Sequence, residues 1–86
     1  MTKPMATLKL FASLSQYLPA TAVDNRLDIT VESDTTIAAI IERFNLPEKL
    51  VHLVLVNGVY IDPSDRAQRV LQPGEVLAIW PPVAGG

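Results

Sequence analysis

Few residues in this chain are equipped for chemistry, and the most telling are the last two, Gly85 and Gly86. A terminal glycine pair presents an α-carboxylate on backbone that carries no side chains. Such backbone can enter a narrow channel and adopt dihedrals closed to other residues. Val83 and Ala84 come just before it, after Pro81-Pro82, and residues 83–86 reach about 13–14 Å when extended. The carboxylate, with a reference pKa of about 3.5, is ionised at neutral pH. In that form it can attack a phosphorus centre, but its own carbon resists attack by sulfur or an amine until an oxygen becomes a leaving group. Gly86 is therefore the expected reacting group. Pro81, Pro82, Val83, Ala84 and Gly85 form the arm that would carry it into a partner's active site.

No competing constellation stands out. Cysteine is absent, which excludes disulfides, thiolate nucleophiles and Cys-based metal sites and fits a reducing compartment. His52 is the single histidine, with no carboxylate cluster near it in sequence, and it reads as a structural or surface residue. The glycines at 58, 74, 85 and 86 never approach the spacing of a phosphate-binding loop. Ser13 and Ser15 lack a partner base, and Asp62 and Asp65 read as turn formers. No metal site and no bound cofactor is expected in this chain. ATP and magnesium, which activation of a carboxylate requires, would be used by a partner enzyme.

Composition narrows the class further. With 86 residues, the chain makes one compact domain with little interior for an enclosed active site. Hydrophobic residues make up 49% and charged residues 19%, ordinary globular usage that argues against disorder. The net charge is −2 with no Lys or Arg run, so nucleic acid is not an expected partner. Lys9 and His52 interrupt the apolar stretches, leaving none long enough for a signal-peptide core or a bilayer span. A soluble, cytoplasmic protein with no membrane partner is expected.

The elements that must position the carboxylate follow from periodicity. Leu8 and Leu10 alternate with Thr7 and Lys9, predicting a strand over 7–11. Leu14, Tyr17 and Leu18 then suggest a helical turn or two, cut off by Pro19. Leu27, Ile29 and Val31 alternate with polar residues and predict a second strand, antiparallel to the first across a wide loop. Asp34-Thr35-Thr36 offers N-caps to a helix whose stripe is Ile37, Ile40, Ile41 and Phe44, ended by Asn45 and Pro47. Residues 52–56 are apolar on both faces, as a central strand would be. Asn57-Gly58 marks a hairpin turn into a short return strand over 59–61. Gln72-Pro73-Gly74-Glu75 suits a type II turn, and the last strand, 76–80, is halted by Pro81-Pro82. One helix crossing a mixed sheet of about five strands is a two-layer α+β arrangement. The β-grasp is the common small fold with this order. The expected boundaries are a domain over 1–82 and a flexible tail over 83–86.

Trp80-Pro81-Pro82-Val83-Ala84-Gly85-Gly86 resembles the C-terminal signature of the MoaD/ThiS family of ubiquitin-like sulfur carriers. The stretches Leu10-Phe11-Ala12-Ser13-Leu14, Leu55-Val56-Asn57-Gly58 and Leu71-Gln72-Pro73-Gly74-Glu75-Val76 look like family segments in the same order. The resemblance implies a β-grasp and a carrier role. A ubiquitin-activating-type enzyme would adenylate Gly86 with ATP, and a persulfide donor would convert it to a thiocarboxylate. The sulfur would pass to an acceptor such as the large subunit of molybdopterin synthase. Phe11-Ala12-Ser13-Leu14 and Pro81-Pro82 lean toward the molybdopterin branch rather than thiamine, although Trp80 stands where phenylalanine is more usual there.

If Leu77 and Ile79 face the helix, then Val76, Ala78 and Trp80 share the open face beside the tail. Trp80 and Ala78 are then the expected partner interface, since large aromatics are frequent hot spots. Val54 and Val56 are candidates to extend it. Two rival readings share these features. A protein modifier would join Gly86 to lysines of other proteins, and a non-catalytic β-grasp binding module would work without its glycines.

Overall fold

Alternation builds the first strand, Met5–Leu10 (β1): Ala6, Leu8 and Leu10 are buried while Met5, Thr7 and Lys9 face the other way. The computed structural model describes residues 4–82. The other strands are Arg26–Thr30 (β2), Leu53–Val56 (β3), Val59–Tyr60 (β4) and Val76–Trp80 (β5). They form one mixed sheet in the order β2-β1-β5-β3-β4, with β1 and β5 parallel and the other pairs antiparallel. The expected α+β class, strand pairing and hairpin are all present. A parallel pair needs a crossover connection, and here everything between β1 and β5 serves as one.

The helix, Ile37–Arg43 (α1), covers one face of the sheet. Thr36 caps it by accepting the Ala39 N–H at 3.1 Å, and Ile37 and Ile40 are fully buried. Two further N-terminal amides, of Ile37 and Ala38, donate to the carbonyls of Arg69 and Arg66 at 3.0 Å each. Helix starts leave such donors without intrahelical partners, so the 66–71 segment completes the helix. The α1 helix has only seven residues, far too few to persist in isolation. Packing of Ile37 and Ile40 with Leu8, Val54, Leu77 and Ile79, all in one cluster with Leu71 and Val31, holds the two layers together.

Turn chemistry behaves as the residue types require. Gly74 has φ +85° and the Glu75 N–H donates to the Gln72 carbonyl at 3.1 Å, the type II geometry that needs glycine at its third position. Asn57 and Gly58, at φ +50° and +82°, join β3 to β4 in the primed-turn conformation that matches strand twist. Asp62 caps a short 3-10 turn through the Ser64 N–H, as expected of a turn former. Residues 12–17 also form a 3-10 helix, consistent with the short helical pattern ended at Pro19.

Two expectations need correction. β3 lies in the sheet interior, between β5 and β4, but it is not covered on both faces. The second apolar face of β3, Leu53 and Leu55, is only half-buried while Val54 and Val56 are sealed in the core. Apolar character on both faces therefore marks an apolar outer surface rather than a strand covered on both sides. Val54 and Val56 accordingly do not extend the open face. Among the described residues, no helix is long and apolar enough to cross a membrane.

Candidate functional site

Strand register decides what stands beside the chain's exit from the sheet. The parallel β1–β5 ladder pairs Lys9 with Ala78 and Leu10 with Ile79, so the next residues, Phe11 and Trp80, fall side by side. The Phe11 N–H donates to the Ile79 carbonyl at 3.2 Å, carrying the pairing one step past β1. The two rings stack with centroids 4.3 Å apart and planes within 1°. On the other flank, Leu53 pairs with Trp80 and Leu55 with Ala78. Directly opposed residues share a face, so these side chains form one apolar surface on the side of the sheet that α1 leaves open.

The surface is concave. A depression of about 430 Å³ lies between Phe11 and Trp80 at one end and Asn57 and Gly58 at the other, with Val76, Ala78 and Leu55 between them. Asn57 fixes the far wall twice: its N–H donates to the Val76 carbonyl at 2.9 Å, and its Oδ1 accepts the Val76 N–H at 2.8 Å. Lys9 is the cationic residue of the lining and stands opposite Arg26 in the β1–β2 ladder. Tyr60, paired with Leu55 and 52% exposed, continues the apolar face toward the sheet edge.

The residues singled out in the sequence divide three ways. Trp80 is half-buried and on the open face, the side expected for it. Ala78 lies on the same face but is only 8% exposed, so it contributes a shallow floor rather than a projecting contact. Pro81 is buried and Pro82 exposed. Val83, Ala84, Gly85 and Gly86 lie outside the described residues. His52 is exposed and its amide donates to the Trp80 carbonyl at 3.1 Å. That bond extends the β3–β5 ladder to the end of β5. Among the described residues, no group of three or more His, Asp or Glu side chains could hold a metal ion.

Sequence reasoning missed Phe11, Leu53 and Leu55. Phe11 was legible in principle, because a parallel first and last strand brings the residue after β1 level with the end of β5. Leu53 and Leu55 carried no signal, since they alternate with equally apolar Val54 and Val56.

Helix and mixed sheet in this order define a β-grasp, the ubiquitin-like fold, here with an aromatic pair where the last strand leaves the body. The model of the ThiS family matches residues 8–86, and the chain belongs to that family. It is thus a ubiquitin-like protein of the sulfur-carrier or modifier class. No curated protein sequence matches it. Among solved structures, SAMP1 from Haloferax volcanii is 24% identical with a TM-score of 0.64, over 95% of this chain and 99% of that one. The Haloferax volcanii HVO 2177 protein is 22% identical with a TM-score of 0.73, over 95% of this chain and 86% of that one. Both likenesses are of fold.

Proposed function

We propose that this chain is a sulfur carrier that works through a thiocarboxylate on Gly86. The observation that carries the reading is positional. The stacked Phe11–Trp80 pair and the concavity beside it lie at the strand end that leads into residues 81–86. A partner that docks on this face would have the arm beginning at its interface. In the proposed cycle the Gly86 carboxylate attacks the α-phosphorus of ATP, held with magnesium by an adenylating enzyme of the ubiquitin-activating type, and pyrophosphate leaves. The terminal sulfur of a donor persulfide then displaces AMP from the acyl carbon. A thiol cleaves the resulting S–S bond, leaving the thiocarboxylate on Gly86 and a disulfide on the donor side. The acceptor is proposed to be the large subunit of molybdopterin synthase, on the strength of the Phe11–Leu14 segment and the Pro81-Pro82 pair.

Incubation with an adenylating enzyme, ATP, magnesium and a persulfide donor tests this directly. Oxygen-to-sulfur exchange adds about 16 Da, nearly the mass added by methionine sulfoxide formation, so fragmentation must place the change on Gly86. The product should require ATP and vanish when Gly86 is deleted or followed by another residue. A misplacement of about 1 Å can cost about a hundredfold in rate. Amide adducts on other proteins in place of the thiocarboxylate would favour the modifier reading. Neither product with a competent enzyme would defeat both.

A further inference from the structure

A second surface lies on the helical layer, and none of its lining residues belongs to the open face of the sheet. A groove of about 430 Å³ runs between α1 and the segment 63–67. Its floor reaches Leu46 and Val51, which belong to the buried core, so the indentation passes through the covering layer instead of resting on it. Ala38 and Ala67 line it with the smallest side chains available, and Ile41 adds apolar surface.

Its walls are tied in place before anything binds. On the α1 side the Ala38 N–H is bonded to the Arg66 carbonyl at 3.0 Å. The Arg66 guanidinium reaches back to the carbonyls of Val51 and His52 at 3.4 and 3.3 Å. An apolar depression of this volume, preformed and with few polar groups, has the character of a binding site rather than of a packing fault.

Charge says what it would take. Glu42 and Glu48 line the groove and are exposed. The one ion pair among the described residues is Arg69–Glu75, elsewhere in the fold. Arg66 also lines the groove, its guanidinium directed to the Val51 and His52 carbonyls, so the lining carries two carboxylates against one guanidinium, while Arg43 donates to the Thr30 carbonyl at 3.0 Å. A net negative rim over an apolar floor complements an aliphatic side chain carried between cationic ones.

We propose that this groove docks a partner segment presenting an aliphatic side chain flanked by Lys or Arg. Because it shares no residue with the concavity at Phe11 and Trp80, such a segment could be held while the sheet face is occupied. The inference is independent of the chemistry at Gly86.

The test is a titration of the isotopically labelled full chain with an acetylated, amidated Lys-Arg-Leu-Lys-Arg peptide, followed by amide chemical shifts. Saturable shifts should centre on Ala38, Ile41 and Ala67 and weaken as salt screens the carboxylates. A peptide with serine in place of leucine, or glutamate in place of the cations, should not reproduce them. The double substitution Glu42→Gln and Glu48→Gln should weaken binding about fivefold to tenfold, the scale of two rim charges. Ala67→Leu, at an exposed position, should block the groove, and Trp80→Ala should leave the affinity unchanged. Shifts centred on Trp80, equal binding of the serine or acidic peptide, or no saturable binding would each overturn the proposal.

Discussion

Phe11 and Trp80 stack ring on ring, 4.3 Å between centroids, although 68 positions (80 − 11 − 1) separate them in the chain. The contact joins the residue after β1 to the last residue of β5, so it is a product of the parallel register alone. A ring pair of this kind is worth about 0.5–1.5 kcal/mol beyond area burial. Trp80→Ala should therefore destabilise the chain by less than the about 3–5 kcal/mol of a core tryptophan. Its affinity for an activating enzyme should fall about thirtyfold, the equivalent of about 2 kcal/mol at a hot spot. Denaturant unfolding and titration of the variant measure both quantities. A stability loss larger than the binding loss would mean that the ring serves the fold.

How much of this was legible depended on whether a local signal existed. The strands over 5–10 and 26–30 were visible because alternation forces a register. The hairpin at Asn57-Gly58 and the turn at Gly74 were visible because both need positive φ. What stayed hidden was non-local. The 66–71 segment supplies carbonyls to the start of α1 and buries Leu71 completely, yet nothing periodic marks it. Trp80 could be assigned to a face because Leu77 and Ile79 are separated by the small Ala78. In β3 every position is Leu or Val, so the half-buried pair could not be told from the buried pair.

Asn57 does more than turn the chain. Its side chain accepts the Val76 N–H in a solvent-exposed bond that is lost if the acceptor is removed, and its φ of +50° is one that Asn tolerates better than most residues. Asn57→Ala should cost about 1–3 kcal/mol from these two losses. Asn57→Asp, which keeps the acceptor and the turn preference, should cost clearly less. Urea unfolding of the two variants side by side decides the matter. Equal losses would mean that the side-chain bond contributes nothing.

Arg69 and Glu75 clasp the two ends of the last connection before β5, with Nη2 and Oε2 2.7 Å apart. Glu75 also accepts the Gln72 N–H at 2.7 Å. The Arg69 hydrogen bond holds the Glu75 carboxyl below the usual glutamate range, against partial burial that pushes it up. A depressed carboxylate pKa stabilises the fold above its unfolded value, and that stabilisation is lost as pH falls through the folded value. Glu75→Gln should thus cost about 1 kcal/mol at neutral pH, the upper range for an accessible pair. The gap between variant and wild type should close as the medium is acidified below the glutamate range. A pH-independent gap would mean that the charge of Glu75 contributes nothing to the difference.

Gly85→Val separates the arm from the body that carries it. The described core runs from Ala6 to Ile79, and Gly85 lies outside the described residues, four positions after the buried Pro81. Melting should shift by less than about 0.5 kcal/mol, as for changes away from packed features. Adenylation should be lost, because a β-branched side chain restricts the backbone and widens it where a catalytic channel must close around it. Binding to the activating enzyme through Phe11, Trp80 and Leu55 should survive, giving a chain that docks without reacting and competes with the wild type. That pairing of intact affinity with absent adenylate is the informative result. A Gly85→Val chain adenylated at the wild-type rate would remove the need for a bare backbone at this position, and with it the argument that the arm threads a channel.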